Sequence, residues 1–463
     1  MDSEEFKKFL NCTTEQEFVY YAENYRNNIY TFESPKHEIS FLYNLGLFFS
    51  EIYQTGNWLE MIFRKEDKYY YPIYFYLKAV QIYEKDYSLQ QDWLLTHETM
   101  KRCYTNLGKE LSDQFRTFDA MIYFRKALKI DPFFDMAIGN YALCIEKHYP
   151  FLDFNSPNKI FNLLYSLYDE IHLDKLENGK DFFKDKKQQY NSLWIKNLEN
   201  KRKTTQWIFD LKDEFNRIDD DRDSYSNWCV ENVLYLNSIN DINSFQEATF
   251  DVSLKYLDDN LQLGPDLNTM LKNMMKLYFN QRKKLYINRN NETETSTIEL
   301  MLIFNCLYSF FDKVAFWIYR FFSLDCEEHK VNFNSVWNQK TKDGIELLDI
   351  KNQYLYGIYW IRKEYRENRQ DKLKINPILS PDSQLYSDLR NHIEHKDYCF
   401  NQVDNLYYIS PKLLYSKTIK LMNIIRNLIL SLILMVRIEN KLTDSITQVR
   451  NYDLIYFEYE GFK

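Results

Sequence analysis

The sequence predicts an all-α protein, and two shortages and one surplus carry that prediction. Only 9 glycines and 9 prolines stand among 463 residues, where average usage would supply roughly 30 and 23. Strand-rich folds turn tightly and often, and turns consume both residues, so the shortage argues against sandwiches, barrels and propellers and excludes collagen-like and Pro-rich disordered chains. Neither G-x-G-x-x-G nor G-x-x-x-x-G-K occurs, which removes the glycine-rich phosphate loops. The surplus is aromatic: 39 Tyr, 34 Phe and 8 Trp within a chain that is 45% hydrophobic. Side chains of that size each bury a large area, and the length is enough for about three domains.

The first elements repeat. In the frame 101–134, Tyr104, Leu107, Gly108 and Leu111 fall on a first helix, and Ala120, Phe124 and Ala127 on a second that Pro132 ends. Small residues at 108, 120 and 127 let two helices approach while large ones fill the groove between them. Asn106 and Asn140 continue the period, with Ala137, Tyr141 and Ala142. Upstream, Tyr43-Asn44-Leu45-Gly46 echoes Thr105-Asn106-Leu107-Gly108, and 74–82 echoes 123–130. The frame resembles the tetratricopeptide (TPR) repeat of about 34 residues, with Leu111 standing where an aromatic is usual. An array over roughly 15–150 is expected, interrupted by an insertion near 56–71; arrays of this kind offer concave surfaces to peptides or proteins. The sequence divides into 1–150 (helical repeats), 151–295 (a helical connecting region) and 296–463 (a further helical domain).

The middle region is read through its charge. The chain carries 59 basic and 67 acidic residues, a net charge of −8, so any nucleic-acid contact must be local. Two basic clusters qualify. One holds Lys180, Lys184, Lys186, Lys187, Lys196, Lys201, Arg202 and Lys203; the other holds Lys272, Lys276, Arg282, Lys283, Lys284 and Arg289. Each is either a solvated helix face or a phosphate track leading to a site elsewhere. The polar stretch 288–297 reads as a linker.

The C-terminal elements carry the chemistry. Helical periodicity runs through 298–322, followed by apolar or helical segments at 334–337, 355–365 and 414–438. Asp312 and Lys313 interrupt the first of these, as a local pair or as neighbours of a cleft. Ser380 is a good N-cap and Pro381 a good first residue for a helix over about 381–396. On that helix Leu385, Leu389 and Ile393 form the expected core stripe. With Leu389 at zero, Arg390 projects at about 100°, Glu394 at about 140°, Asn391 at about 200° and His395 at about 240°. All four point away from the core, into water or a subunit interface. His392, at about 300°, reads as a core-edge histidine.

Arg390-Asn391-His392-Ile393-Glu394-His395 resembles the R-N-x-x-x-H motif of the ribonuclease members of the HEPN superfamily, a group of all-α domains. The helix with Phe311-Asp312-Lys313-Val314-Ala315, the 334–337 segment, Tyr356-Gly357-Ile358-Tyr359-Trp360 and the extension Glu394-His395-Lys396 are similar to a bacterial HEPN subfamily that often carries TPR-like repeats in front. The resemblance spans about 298–440. It implies Arg390, Asn391 and His395 as catalytic residues, with His392, Glu394 and Lys396 in support. It also implies a homodimer in which two motifs line one cleft.

That motif suits RNA, which carries its own nucleophile in the 2′-OH. His395 can move a proton near neutral pH. Arg390 can hold phosphate oxygens bidentately and stabilise the transition state. Asn391, one turn before His395, can orient the imidazole or touch phosphate. The expectation is therefore a metal-independent endoribonuclease leaving a 2′,3′-cyclic phosphate and a 5′-OH. By the resemblance it is an anti-phage or toxin-like effector whose repeats bind a protein or peptide as sensor. Two alternatives stay open: a non-catalytic HEPN/TPR scaffold, and an RNA-binding adaptor using the basic clusters. No cofactor is expected. The seven scattered cysteines lack C-x-x-C, which argues against zinc ribbons and disulfide frameworks, and His37, His97, His148, His172 and His329 have no metal-ligand spacing. The N-terminus lacks the apolar core of a signal peptide. The apolar runs 301–311 and 427–436 are too short to span a bilayer, so a cytoplasmic protein without a membrane segment is expected.

Overall fold

In the computed structural model, described residues are 1, 3–53, 67–85, 96–148, 157–176, 179–196, 224–237, 251, 261, 263–290, 293–365, 383–395, 398–399, 407–408 and 410–444. They are helical almost throughout, as the composition predicts. Apart from helix they show turns and short 3-10 turns, an irregular stretch over 322–352 with isolated antiparallel bridges Leu324–Thr341 and Lys340–Glu346, and a parallel pair of two-residue strands, Tyr398–Cys399 with Tyr407–Tyr408. The chain forms two compact units: Met1–Asp219 with Lys363–Ser387, and Asp220–Arg362 with Asp388–Lys463.

In the first unit, helices α1 (Ser3–Leu10), α2 (Glu15–Arg26), α3 (Pro35–Tyr53), α4 (Tyr71–Lys85), α5 (Thr96–Asp113), α6 (Thr117–Ile130), α7 (Asp135–His148), α8 (Pro157–Glu170) and α9 (Lys180–Lys196) follow in order. Their starts are written locally. At α2 a capping box forms: Thr14 Oγ1 accepts the Glu17 N–H and the Glu17 carboxylate accepts the Thr14 N–H at 3.0 Å. From α2 to α9 each helix packs on the next, and α3, α5 and α7 also touch in turn. One device recurs. A glycine on one helix lies under an aromatic ring of a later one: Gly46 under Tyr76, Gly108 under Phe124, Gly139 under Phe183. A Cβ on Gly108 would lie 2.6 Å from the Phe124 ring, so only glycine allows that approach. The small-residue spacing read in 101–134 is thus realised as a close α5–α6 contact, and α6 stops at Ile130 just before Pro132. Most of the expected insertion at 56–71 falls outside the described residues.

A buried ion cluster closes this unit. Arg116 sits between α5 and α6, pairs with Asp119 at 2.9 Å and with Glu364, and is almost fully enclosed. Burial alone would lower its pKa, but the Glu364 and Asp119 carboxylates outweigh that and raise it well above the ordinary value. Glu364 brings the start of the Lys363–Ser387 segment into the first unit.

The second unit is built from α10 (Ser224–Glu231), α11 (Pro265–Ile287), α12 (Glu294–Tyr308), α13 (Phe310–Phe321), α14 (Gln353–Tyr365, to Arg362) and α16 (Pro411–Asp444). Helix α16 packs on α11, α12 and α13, burying Leu421, Ile425, Leu428, Leu432 and Met435 completely. The stretch 288–297 departs from its linker reading: α11 ends at Ile287, buried Asn288 caps it, and Thr293 caps α12. It closes a packed helix pair inside one unit, and described residues of 224–290 belong to that unit too.

The apolar runs also differ from expectation. Run 427–436 lies within the 30 residues Pro411–Asn440, and run 301–311 within the 28 residues Glu294–Phe321; both stretches are long and apolar enough to cross a membrane. Of their most apolar windows, 83% and 56% are buried inside the protein, so much of that apolar surface is covered by the unit's own core. The helical stretches are longer than the apolar runs because each helix continues through its polar flanks.

Arg426 shows the same point. Read as a flanking charge, it is fully enclosed in α16: Nε donates to the Tyr235 carbonyl at 2.5 Å and Nη2 to the Asn237 carbonyl at 2.6 Å. Arg282 of α11 is buried too: it forks onto Asp251 at 2.6 and 2.7 Å and donates to the Leu234 carbonyl at 2.9 Å. Burial opposes its charge, and the Asp251 hydrogen bonds more than compensate, raising its pKa. Two arginines therefore hold the 234–237 backbone, donating to carbonyls that no helix or sheet N–H serves.

Candidate active site

Helix α15 (Ser383–His395) carries the motif; its expected start at Ser380 and Pro381 falls outside the described residues. Its first turn, Ser383–Ser387, belongs to the first unit and Asp388–His395 to the second. Within the first unit Tyr386 is buried against Tyr365, ring centroids 5.4 Å apart. The core face differs from the predicted stripe. Among the described side chains of α15, Leu389 is buried as expected and Tyr386 is buried with it, while Leu385 and Ile393 are only half-buried. The buried face is thereby rotated toward Tyr386, because an aromatic one turn back covers more area than either aliphatic neighbour.

Arg390 is half-exposed. Its Nη2 lies 2.5 Å from the Glu394 carboxylate and its Nη1 donates to Asn391 Oδ1 at 3.2 Å. The guanidinium is thus steered by two neighbours on its own helix, the i, i+4 ion pair being the stronger of the two contacts. His392 is half-buried and its Nδ1 donates to the Asp388 carbonyl at 2.7 Å, a bond that leaves Nε2 as the acceptor in the neutral ring. His395 is the last residue of α15; its side chain and Lys396 lie outside the described residues. Helix geometry places its Cα one turn beyond Asn391, about 6 Å along the axis. Arg390, Asn391 and His395 thus share the C-terminal turns of one helix, with Glu394 between the arginine and the histidine. Such an arrangement offers a planar cation for phosphate and a titratable ring within one short stretch.

Several other polar residues singled out in the sequence have structural partners. Asp312 accepts the Phe333 N–H at 3.0 Å, fixing the turn before the 336–338 3-10 helix, and Lys313 donates to Ser309 at 3.1 Å. Each serves its own local contact. His37, His172 and His329 sit 3.5, 3.2 and 3.3 Å from Glu33, Asp135 and Glu327. Among the described residues no group of three or more His, Cys, Asp or Glu could hold a metal ion. In the first basic cluster Lys186 is buried on Glu146 at 2.9 Å and Lys187 donates to the Asp169 carbonyl at 2.6 Å, while Lys201, Arg202 and Lys203 fall outside the described residues.

Sequence reasoning missed the polar lock at the start of α14. Asn352 is fully buried; its Oδ1 accepts the Tyr354 and Leu355 N–H groups, and its Nδ2 donates to the Met435 carbonyl and to Glu439 at 2.7 Å. The available signal was an asparagine just before a helical run, a good N-cap.

Residues 269–439 match the family described as LA2681-like HEPN. The match covers α11 through most of α16 and includes Arg390, Asn391 and His395, and it supports the HEPN superfamily for this region. No curated protein and no solved structure matches the chain.

Proposed function

We infer that the protein is an endoribonuclease acting through α15, and that the carrying observation is Arg390 and His395 on one helix, with Asn391 between them, inside the region similar to LA2681-like HEPN. In this reading the RNA 2′-oxygen attacks phosphorus and the bond to the 5′-oxygen breaks. His395 moves a proton, Arg390 stabilises the charge on the phosphorane, and Asn391 orients the histidine or the phosphate. The products are a 2′,3′-cyclic phosphate and a 5′-OH. The nucleophile comes from the RNA itself, so the reaction calls for no metal. A homodimer brings two such motifs together, the TPR-like repeats of the first unit act as a sensor for a protein or peptide, and the cell uses the activity in the cytoplasm as an anti-phage or toxin-like effector. Recurrent glycine-under-aromatic contacts support the repeat reading.

The test is RNA cleavage by the purified full chain. Arg390→Ala and His395→Ala should each lower the cleavage rate by about 10²-fold or more with unchanged circular dichroism and melting temperature. A double variant that cuts as fast as its parent removes the site assignment. A second reading, a non-catalytic scaffold, is favoured by one contact: Glu394 already neutralises Arg390 at 2.5 Å. A dimeric, folded wild type that never cuts RNA, with or without phage infection, would establish it.

A further inference from the structure

The two basic clusters are alike in sequence and opposite in structure. On α9, exposed Lys180 and Lys184 alternate with exposed Asp181 and Asp185, and Lys186 is buried on Glu146. That face is close to neutral. On α11 the cluster loses Arg282 to the core, and what is left is a single outward row. Leu271, Met274, Met275, Tyr278, Gln281, Arg282 and Leu285 face the unit's interior. Asn273, Lys276, Asn280, Lys283, Lys284 and Ile287 are exposed, at the three- and four-residue steps that put them on one helix face. No acidic residue occurs from 267 to 290, in a chain whose net charge is −8. A carboxylate near the end of the row, Glu299 of α12, accepts from the Asn288 amide at 2.7 Å. The row runs about 21 Å at 1.5 Å per residue. Beyond it Arg289 lies flat on Tyr286, 3.7 Å from the ring centre.

We propose that this face of α11 is a phosphate-binding rail for single-stranded RNA. Its exposed lysines, which make no ion pair among the described residues, carry point charges spaced for a nucleic-acid backbone, its asparagines offer amide donors between them, and the Arg289–Tyr286 stack ends it with a planar cation on an aromatic. Charge complementarity selects the ligand: an acid-free basic row on an acidic protein attracts a polyanion locally and repels it elsewhere. The proposal takes from the nuclease reading only that the ligand is RNA; binding does not require cleavage. The rail contributes affinity and register, and α15 contributes the chemistry.

The experiment uses the full chain with His395→Ala to prevent turnover, and a fluorescein-labelled single-stranded RNA of mixed sequence, about 20 nucleotides long. Affinity is measured against salt with and without Lys276→Gln, Lys283→Gln and Lys284→Gln together. Each phosphate contact on a single strand contributes about −0.7 to the log–log salt slope. The triple variant should therefore lose about 2 from the slope's magnitude. Between about 50 mM and about 200 mM salt, the parent's affinity should fall roughly 20-fold more than the variant's. Lys180→Gln with Lys184→Gln, the matched control on α9, should leave the slope unchanged. An unchanged slope in the triple variant overturns the rail, as does equal loss in the α9 control. Salt-dependent binding to phosphatidylserine vesicles with none to RNA would assign the face to a membrane surface and overturn it too. If the parent with His395 restored binds RNA with the expected slope change but never cuts it, the rail stands and the nuclease reading falls.

Discussion

Inside each unit the balance of stabilising contacts differs. In the first, consecutive helices pack on one another and the closest approaches are glycine under aromatic, as at Gly108 and Phe124. In the second, buried arginines reach across the sequence: Arg426 binds the carbonyl of Tyr235, 191 residues away, and Arg282 binds Asp251 and Leu234. The first arrangement is mostly apolar, local and repetitive, so each contact is modest and many neighbours share the load, with the buried Arg116–Glu364 pair added as a long-range charge contact. The second is polar and concentrated, so the loss of one partner strands a buried charge. The lesson is that a helical region rich in local contacts can carry mutations that a region pinned by a few long-range charges cannot.

Asp251→Ala is expected to have the largest effect. It leaves the Arg282 guanidinium buried without its carboxylate and should destabilise the second unit by about 3–5 kcal/mol. Hydrogen exchange should show α11 and α16 losing protection while α5 and α6 keep theirs. Equal loss in both units would show one cooperative folding unit and end the contrast. Gly108→Val comes next. The added methyls meet the Phe124 ring, which is buried, and overpacking should cost about 1–3 kcal/mol, with protection lost first in α5 and α6. If it is neutral, the glycine contact is looser than its 2.6 Å Cβ separation implies.

The smallest effect is a pH dependence. Burial raises the pKa of Glu439 above the usual carboxylate value, and the hydrogen bond from Asn352 only partly opposes this. The folded state thus holds the proton more tightly than the unfolded chain. This contribution is fully present below the unfolded pKa and is lost as pH rises through the folded one. Glu439→Gln should flatten the melting temperature against pH across that window while leaving the first unit's exchange pattern alone. A slope identical to the parent's would remove Glu439 from the account.

Much of the architecture was legible because it is encoded over short distances. Gly108, Phe124 and Pro132 lie within one helix pair, so their spacing alone forecast the α5–α6 contact and its end. The R-N-x-x-x-H motif was legible for the same reason: Arg390, Asn391 and His395 sit within two turns of one helix. The polar contacts that cross the chain were not. Arg426 looked like a flank and Arg282 like one more surface cation, because nothing near them in sequence indicates the 234–237 carbonyls or Asp251. The buried face of α15 was misread at Tyr386, since helical projection weighs every apolar position alike while packing favours the larger ring.

By itself the sequence determined the helical class, the close α5–α6 approach at Gly108 and the presence of the R-N-x-x-x-H motif, since each depends on composition or on residues within a short stretch. The tertiary structure alone decided which cations are spent on the core and which remain outside. It sent Arg282 and Arg426 inward to backbone carbonyls, set Lys186 on Glu146, and left Lys276, Lys283 and Lys284 on one open face. A charge is stable in the interior only where a distant partner accepts it, and the partner's position is a property of the fold.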